Sequence, residues 1–347
     1  MVKQLALQTL LRCPMTGNDL SWLDDDELKL LNQRFPQTLP IQSALKVLGH
    51  DLFYPVVDDI FYLLPDLVLK GDSEHLPQHG GIHLSKQQVQ QFYNEFGWQS
   101  SEGVYQDAQD SEDLRSISRE YIERCHLRLK DHLPPSGQFL LDVASGPLQY
   151  PAYLTYSEHY DYRICADISL RALKEAKKKL GSKGIYLLCD VTQLPIKTDQ
   201  MDAVVSLHTI YHVPKDEQKQ AFAEIHRVLK PQGTSVVVYS WGQYSLLMNL
   251  FLLPLKLLVR LKRKILREKT QPLYFYAHPY HWYQTELQPH YQMQLFSWRS
   301  VNVPFLKIFI HRVLGGRFIL KGIFWLENRF PTFMGRMGAY PIFVSKK

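Results

Sequence analysis

The sequence predicts an α/β fold in which a doubly wound, mostly parallel sheet is covered by helices on both faces. Between residues 138 and 239, short apolar runs alternate regularly with longer segments of helical periodicity. Short apolar strands separated by helices of about a dozen residues are typical of a parallel sheet that is covered on both faces. Because crossovers between parallel strands are right-handed, this order of elements produces a doubly wound sandwich.

Each element is predicted from its own pattern. The strands are predicted at Gln138–Val143, Tyr162–Ala166, Ile185–Cys189, Ala203–Leu207 and Thr234–Tyr239. The helices between them are predicted at Leu148–Ser157, Leu170–Leu180 and Lys215–Leu229. Two helices precede the sheet. The first, Lys86–Phe96, carries Val89, Phe92, Tyr93 and Phe96 on one side. The second, over residues 111–130, has the apolar stripe Leu114, Ile117, Tyr121, Ile122 and Leu129.

Composition divides the chain into four segments. Residues 1–70 are typical of a small α+β domain, and residues 71–83, rich in Gly, His and Pro, of a linker. Residues 84–240 contain the alternating elements. Residues 241–347 do not continue this alternation of strands and helices, and we interpret them as a helical insertion followed by the final strands of the sheet.

Positive charge is concentrated in one short segment. The net charge is +6, and residues 256–269, with seven Lys or Arg and one Glu, account for all of it. An apolar content of 45% excludes a disordered chain. The four cysteines (Cys13, Cys125, Cys165 and Cys189) form neither a disulfide framework nor a metal quartet, which favours a reducing compartment. The absence of a signal-peptide pattern and of a spanning apolar run predicts a cytoplasmic protein.

Acidic side chains lie at the ends of the first three predicted strands. The first strand runs into Asp142-Val143-Ala144-Ser145-Gly146, whose small residues let a ligand approach the backbone. The second ends at Asp167, where a carboxylate can accept both ribose hydroxyls of an adenosine. The third ends at Cys189-Asp190-Val191, which places another carboxylate beside the adenine amino group. Ligands of doubly wound sheets bind at these strand ends, so the three together predict one cleft.

These residues resemble the class I S-adenosylmethionine-dependent methyltransferases, particularly the branch with quinone-biosynthesis and other small-molecule enzymes. Leu141–Gly146 stands where that family has its glycine-rich motif, and Ala166–Ser169 and Cys189–Pro195 match its ribose and adenine motifs. Residues 201–208 and 224–233 are similar to its fourth strand and to the helix and turn before the fifth. The resemblance covers residues 84–239 and implies a seven-stranded Rossmann-like sheet that binds S-adenosyl-L-methionine.

The resemblance also implies site residues. The implied cofactor-binding residues are Asp142, Ala144, Ser145, Gly146, Asp167, Ile168, Asp190, Val191 and His208. His208 is also the candidate general base, with a hydrogen-bonding role in the cleft as the alternative. The family's three glycines fall on Ala144, Gly146 and Leu148, so we expect Leu148 to point away from the methionine part. NAD is the competing cofactor, and Asp190 with the segment 224–231 favours S-adenosylmethionine. The family often forms a lid over the cofactor from the stretch before the first strand. Here that stretch contains Tyr93, Phe96, Trp98 and Tyr105, and the alternative is that these residues pack on the sheet.

The N-terminal segment resembles the small zinc-ribbon-like domains that activate RNA and protein methyltransferases. The resemblance covers about residues 7–66 and depends on residues 10–17 and 54–60. A zinc ribbon needs thiolates at Cys-x-x-Cys spacing, whereas Thr16 stands where a partner of Cys13 would be. We therefore expect no metal here, and a packing or partner-binding domain.

Residues 246–269 combine an aliphatic face with clustered cations. Such a helix can lie at a membrane interface, attracted by anionic lipid, or cover a lipid-like acceptor; a helix docked on the core is the alternative. These cations could also bind nucleic acid, but the aliphatic residues beside them fit a membrane better than a nucleic acid. The aromatic segment 274–283 is interpreted as a wall for an apolar or ring-shaped acceptor.

Three functions are consistent with these patterns. The first is methylation of a small-molecule or lipid-linked acceptor by a cytoplasmic enzyme that is peripheral at the inner face of the membrane. The second is a non-catalytic binding or scaffold protein that keeps the fold, which the reduced glycine motif supports. The third is an RNA or protein methyltransferase, suggested by the N-terminal segment. The sequence leaves open the acceptor, the methylated atom and the oligomeric state.

Overall fold

A single large mixed sheet organises the computed structural model, which describes residues 7–36, 40–71, 83–101, 103–254 and 273–347. The strands are β1 (Leu20–Trp22), β2 (Ala44–Val47), β3 (Leu52–Val57), β4 (Ile60–Tyr62), β5 (Leu69–Lys70), β6 (Ser100–Ser101), β7 (Val104–Tyr105), β8 (Gly137–Val143), β9 (Tyr160–Asp167), β10 (Gly184–Leu188), β11 (Met201–Leu207), β12 (Leu229–Val238), β13 (Gln294–Arg299) and β14 (Tyr340–Lys346). The described α-helices are α1 (Asp25–Arg34), α2 (Leu84–Phe92), α3 (Gln106–Ser111), α4 (Arg119–Leu127), α5 (Pro151–Leu154), α6 (Leu170–Leu180), α7 (Gln218–Val228), α8 (Leu246–Phe251), α9 (Tyr280–Trp282), α10 (Gln288–Tyr291), α11 (Val303–Phe309), α12 (Gly316–Arg329) and α13 (Pro331–Met337).

Seven of these strands form the predicted doubly wound core. Their order is β10-β9-β8-β11-β12-β14-β13, in which the first five are parallel and β14 runs antiparallel to both of its neighbours. The α/β prediction, with its mostly parallel seven-stranded sheet, is confirmed. The strand order reverses between β8 and β11, so the carboxyl ends of these strands flank the crevice in which such folds bind ligands.

Helix α6 shows why the core elements could be located from the pattern. It covers the predicted residues, and its last turn carries three lysines that favour the negative end of the helix dipole. Gly181 follows with a φ of 54°, a left-handed conformation that glycine adopts without a side-chain clash. Its buried face packs Leu173 and Ala176 on the sheet.

The helix predicted over residues 111–130 is wrong in its first half. Residues 112–118 form a turn, and α4 begins only at Arg119. The buried Asp113 carboxylate accepts hydrogen bonds from Arg115 Nε at 2.7 Å and Ser118 Oγ at 2.6 Å. These local bonds compete with a helical backbone. Leu114, predicted in the buried stripe, is 47% exposed as a result.

Two other predicted helices also differ from the structure. The segment Leu148–Ser157 has α-helical geometry only in α5, with a 3₁₀ turn after it, because Pro151 at the first helical position starts the helix late. Helix α2 ends at Phe92 and continues as a π-helical turn, which leaves Phe96 exposed instead of buried.

The N-terminal strands extend the central sheet. Strand β4 pairs in parallel with β10, with Ile60 opposite Tyr186 and Tyr62 opposite Leu188. Strands β3, β2 and β1 then add in antiparallel order. The Cys13 sulfur lies 3.4 Å from the Tyr54 hydroxyl and accepts the Thr16 backbone N–H at 3.4 Å. The N-terminal segment therefore shares its sheet and a hydrophobic core with the rest of the chain.

The C-terminal region supplies β13 and β14 together with helices α11, α12 and α13. Residues 255–272, most of the predicted apolar and basic helix, lie outside the described residues. Among the residues that are described, no helix has the length and apolar content needed to cross a bilayer.

Candidate functional site

The loop after β8 keeps the backbone of a glycine-rich turn although it has few glycines. Ala144, Gly146 and Leu148 have φ angles of 53°, 55° and 52°, all in the left-handed region. This conformation costs a non-glycine residue roughly 1–2 kcal/mol. Leu148 packs in the core with Leu173, so it lies away from the cavity described below. A Cβ on Gly146 would lie only 3.1 Å from the Trp98 ring, so Gly146 is the point of the loop where a side chain would be too close to its neighbour.

Asp167, at the end of β9, faces this loop. Its carboxylate accepts the backbone N–H groups of Gly146 and Ser169, each at 2.8 Å. Burial raises the pKa of Asp167 to about 6, and these backbone hydrogen bonds oppose the rise. The group is therefore a carboxylate at neutral pH and becomes protonated in mild acid.

Asp190 begins the turn after β10, and both of its oxygens already have partners. Oδ1 accepts the backbone N–H and the hydroxyl of Thr192 at 2.9 Å, and Oδ2 accepts Lys86 Nζ at 2.5 Å. Lys86 also forms an ion pair with Glu217. The carboxylate predicted beside an adenine amino group thus anchors α2 over this end of the cleft. Sequence reasoning missed Lys86, because helical spacing marked only the apolar side of α2.

Two adjoining cavities lie at the carboxyl ends of these strands. The larger has a volume of about 190 Å³ and the smaller about 60 Å³. The walls shared by both are Val89, Ala144, Asp167, Ile168, Thr209 and His212. The structure brings all nine residues of the predicted site into these walls. Asp190 and Val191 line the smaller cavity, and the other seven line the larger.

Asp142, on β8, is held mainly by a buried ion pair. Its Oδ2 accepts from Arg163 Nη2 of β9, and both side chains are buried. Burial raises the pKa of Asp142, while the guanidinium lowers it. In the described part of the chain, Oδ1 has no hydrogen-bond partner. Asp142 therefore links two strands and offers one free acceptor at the cavity.

His208, after β11, sits between aromatic rings with a φ of 59°. Its ring centroid lies 4.4 Å from that of Trp298 and 5.3 Å from that of Tyr340. Burial, reinforced by the positive charge of Arg299, lowers the pKa of His208 well below its ordinary value. The imidazole is therefore neutral near pH 7 and has a lone pair available.

Sequence reasoning missed a buried charged pair on the far wall of the larger cavity. Arg299 Nη1 donates to Glu112 Oε1 at 2.6 Å, and Arg299 is only 2% exposed. The guanidinium lies 4.8 Å from the centre of the Trp298 ring and 5.1 Å from that of Tyr340. Burial opposes the charge, but Glu112 and Tyr340 outweigh it and raise the pKa of Arg299. No motif marks Arg299, which lies at the end of β13, the edge strand of the sheet.

The lid residues predicted from the sequence are only partly at the cavity. Tyr93 and Trp98 line it and stack on each other with ring centroids 4.8 Å apart. Tyr105 packs edge-on against Trp98 at 6.1 Å. The Trp98 ring of this stack lies directly against Gly146.

The residues present fit an adenosyl cofactor. Asp167 offers a carboxylate at the ribose position, and Gly146 leaves space for the ligand to approach the backbone. Within the described residues, Asp142 Oδ1, Gln149 Oε1 and Trp98 Nε1 are buried without partners. Two unpaired acceptors suit an ammonium group such as that of the methionine part.

Comparison with known proteins agrees with this geometry. Residues 141–237 match the family model described as a methyltransferase domain. The ubiquinone/menaquinone biosynthesis C-methyltransferase of Desulfotalea psychrophila is 34% identical over 104 residues, which cover 30% of this chain and 41% of that protein. The sterol 24-C-methyltransferase of Pneumocystis carinii is 29% identical over 163 residues, 44% of this chain and 40% of that protein.

One solved structure aligns with a larger share of the chain. A geranyl diphosphate methyltransferase in complex with GPP and sinefungin aligns with a TM-score of 0.47 at 13% identity. The alignment covers 76% of this chain and 98% of that one. This chain spans less than half the length of the curated relatives it matches. Residues 141–237 therefore match a methyltransferase domain, and the cavity walls fit S-adenosylmethionine as its cofactor.

Substitution of Gly146 by alanine is expected to weaken binding of S-adenosylhomocysteine by about tenfold. The new Cβ would press on Trp98 in addition to the left-handed strain, which costs roughly 1–2 kcal/mol. Isothermal titration calorimetry measures the affinity. Gly181→Ala is the matched control, because its φ is 54° and nothing lies within 4 Å of its Cβ. Equal affinities of the two variants would contradict a role for this close approach.

Cofactor affinity is expected to depend on pH through Asp167. The carboxylate is the form that accepts ribose hydroxyls, so the dissociation constant stays level between pH 7 and 8. Below the pKa of about 6 it rises by up to tenfold per pH unit. Titrations with S-adenosylhomocysteine from pH 5 to 8 measure this. Adenosine lacks the methionine part, so the same pH dependence of its dissociation constant would assign the effect to the ribose side. A dissociation constant that does not change between pH 5 and 8 would contradict the role of Asp167.

Proposed function

We propose that this chain transfers a methyl group from S-adenosylmethionine to a small-molecule acceptor that is apolar and ring-shaped or lipid-linked. One observation carries the proposal. The larger cavity joins the loop of Gly146 and the carboxylate of Asp167 to an aromatic wall in one enclosed space. That wall comes from the C-terminal region, through Trp298 and Tyr340 on β13 and β14.

The polar side of the wall limits the acceptor. Arg299 is fixed by Glu112, and its Nε is buried without a partner in the described part of the chain. A substrate with one oxygen substituent on an apolar body could place that oxygen where it accepts a hydrogen bond from this N–H. Tyr150, Tyr153 and Tyr211 complete the apolar enclosure. The names of the matched relatives, which concern quinone, sterol and prenyl compounds, support an acceptor of this kind.

The chain's contribution to the reaction is placement. S-adenosylmethionine supplies an electrophilic methyl group when bound. Holding the acceptor in line with that group accounts for most of the rate. The stacked Tyr93 and Trp98 exclude water and offer aromatic faces to a cation. His208, neutral because of its lowered pKa, would accept a proton if the acceptor carries one.

The remaining parts of the proposal concern location and the flanking segments. We propose membrane contact through residues 246–269, in whose described part, 246–254, Leu246, Leu250 and Leu253 are exposed. We infer a cytoplasmic protein that is peripheral at the inner face of the membrane. The division at residues 70, 83 and 240 remains a proposal, as does a partner-binding role for the N-terminal segment without metal.

Transfer of a tritiated methyl group tests the function. The protein is incubated with labelled S-adenosylmethionine and, in separate reactions, with the total lipid, the aqueous metabolites, the protein or the RNA of the source cells. We expect label in an organic-soluble product, and its loss when His208→Gln or Arg299→Gln replaces wild type. Label in protein or RNA would support the alternative acceptors. Cofactor binding without transfer to any of these fractions would indicate the non-catalytic alternative.

A further inference from the structure

The C-terminal helices expose an unusual amount of apolar surface. Ten large apolar side chains between residues 308 and 333 are exposed, with Val313 at 96% and Phe318 at 79%. They occupy α11, the following loop, α12 and the start of α13. We call this surface the C-terminal face: Ile308, Phe309, Val313, Leu314, Phe318, Ile319, Trp325, Leu326, Phe330 and Phe333. Soluble monomers rarely expose a large contiguous apolar patch unless it binds something.

Helix α12 is firmly packed on its other side, so this exposure does not come from a loose helix. Leu320 and Glu327 are buried, and the Phe324 ring packs edge-on against Tyr121 at 6.4 Å. Phe318 and Trp325, seven residues apart, lie along the opposite side. The fold therefore holds their rings outward.

The exposed charges that residues 301–347 contribute to this face all have the same sign. Its cations are Lys307, Arg312, Arg317, Lys321, Arg329 and Arg336, and all six are exposed. Glu327 is the only acidic residue between positions 301 and 347. It is 1% exposed and bonded to Arg128. The face thus combines aromatic and aliphatic side chains with an excess of positive charge, which Glu120 of α4, beside Arg317 and Lys321, offsets only in part.

We propose that the C-terminal face docks on a membrane rich in anionic phospholipid. Aromatic and aliphatic side chains enter the headgroup boundary, and surrounding cations are attracted by lipid phosphates. Two copies of this face would bring like charges together across a symmetric contact, which disfavours a dimer. Nucleic acid would satisfy the cations but leave Val313 and Leu314 without apolar contacts.

The face continues toward the segment already proposed for membrane contact. The Phe251 ring of α8 lies 5.5 Å from that of Phe305 and 6.3 Å from that of Phe309. This inference adds a second element to the membrane contact proposed for residues 246–269, and it does not require methyl transfer. An assay of vesicle binding therefore separates its failure from that of the proposed function.

Vesicle flotation of the full chain tests the proposal. The vesicles are phosphatidylcholine alone or phosphatidylcholine with about 30 mol% phosphatidylglycerol, whose negative charge attracts basic surfaces. We expect binding only to the anionic vesicles, and about tenfold weaker binding for Phe318→Ser/Trp325→Ser. Leu30→Ser/Leu48→Ser removes two exposed apolar side chains far from this face and is expected to bind as wild type.

Two further measurements decide the remaining outcomes. A variant neutral at Lys262, Arg263 and Lys264 tests the first segment separately. If that variant alone loses binding, the C-terminal face is overturned as a membrane surface while 246–269 stands. Light scattering after size-exclusion chromatography reports the oligomeric state. A wild-type dimer that Phe318→Ser/Trp325→Ser converts to monomer, with vesicle binding unchanged, would also overturn the proposal.

Discussion

Replacement of Asp167 by asparagine is expected to weaken S-adenosylhomocysteine binding by about 100-fold or more. A hydrogen bond to a charged acceptor contributes roughly 1.5–3 kcal/mol, and the ribose offers two donors. Asparagine has one carbonyl oxygen and an amide nitrogen that would face the N–H of Gly146 or Ser169. Loss of roughly 3 kcal/mol corresponds to about two orders of magnitude in affinity.

Calorimetry on Asp167→Asn needs a control for general damage to β9. Asp161→Asn provides it, because Asp161 lies on the same strand and is exposed. We expect wild-type affinity for that control and wild-type far-ultraviolet circular dichroism for both variants. An affinity of Asp167→Asn within threefold of wild type would show that the cofactor ribose binds elsewhere.

The core of the fold could be predicted because its signals are local. Each strand from β8 to β11 contains a short, mostly apolar run, and Gly181 ends α6 where the helical pattern stops. The acidic residues at the strand ends fall in the cavity walls because the topology places those ends together. The left-handed φ of Ala144 and Leu148 shows why the reduced motif keeps its shape: the surrounding strands impose the backbone that glycine would adopt freely.

The parts that could not be predicted depend on contacts between distant residues. The pairing of β4 with β10 joins residues more than a hundred positions apart, and no local pattern specifies it. Arg299 and Glu112, which are 187 positions apart, meet in the same way. Isolated charged residues in the sequence ordinarily lie on the surface, so nothing marked these as buried. The error at Leu114 arose because helical spacing ignores the competing hydrogen bonds of Asp113.

Removal of the charge of Glu327 is expected to destabilise the fold by about 3–5 kcal/mol, the cost typical of breaking a buried ion pair. Its Oε1 accepts from the Tyr121 hydroxyl at 2.7 Å and from the backbone N–H of Ser300 at 2.6 Å. Its Oε2 accepts from both terminal nitrogens of Arg128 at 3.2 Å. Glu327→Gln would leave Arg128 buried without a counter-charge and would turn an amide N–H₂ toward existing donors.

Urea unfolding followed by tryptophan fluorescence measures this effect, with Glu120→Gln as the matched control. Glu120 also pairs with an arginine, Arg124, but both side chains are more than half exposed, so its loss should cost less than about 1 kcal/mol. Equal unfolding midpoints for the two variants would contradict the buried network. Glu327 fixes α12 to α4 and β13, and this anchored side of α12 holds the apolar rings of the C-terminal face outward. Glu327→Gln should therefore also reduce vesicle binding.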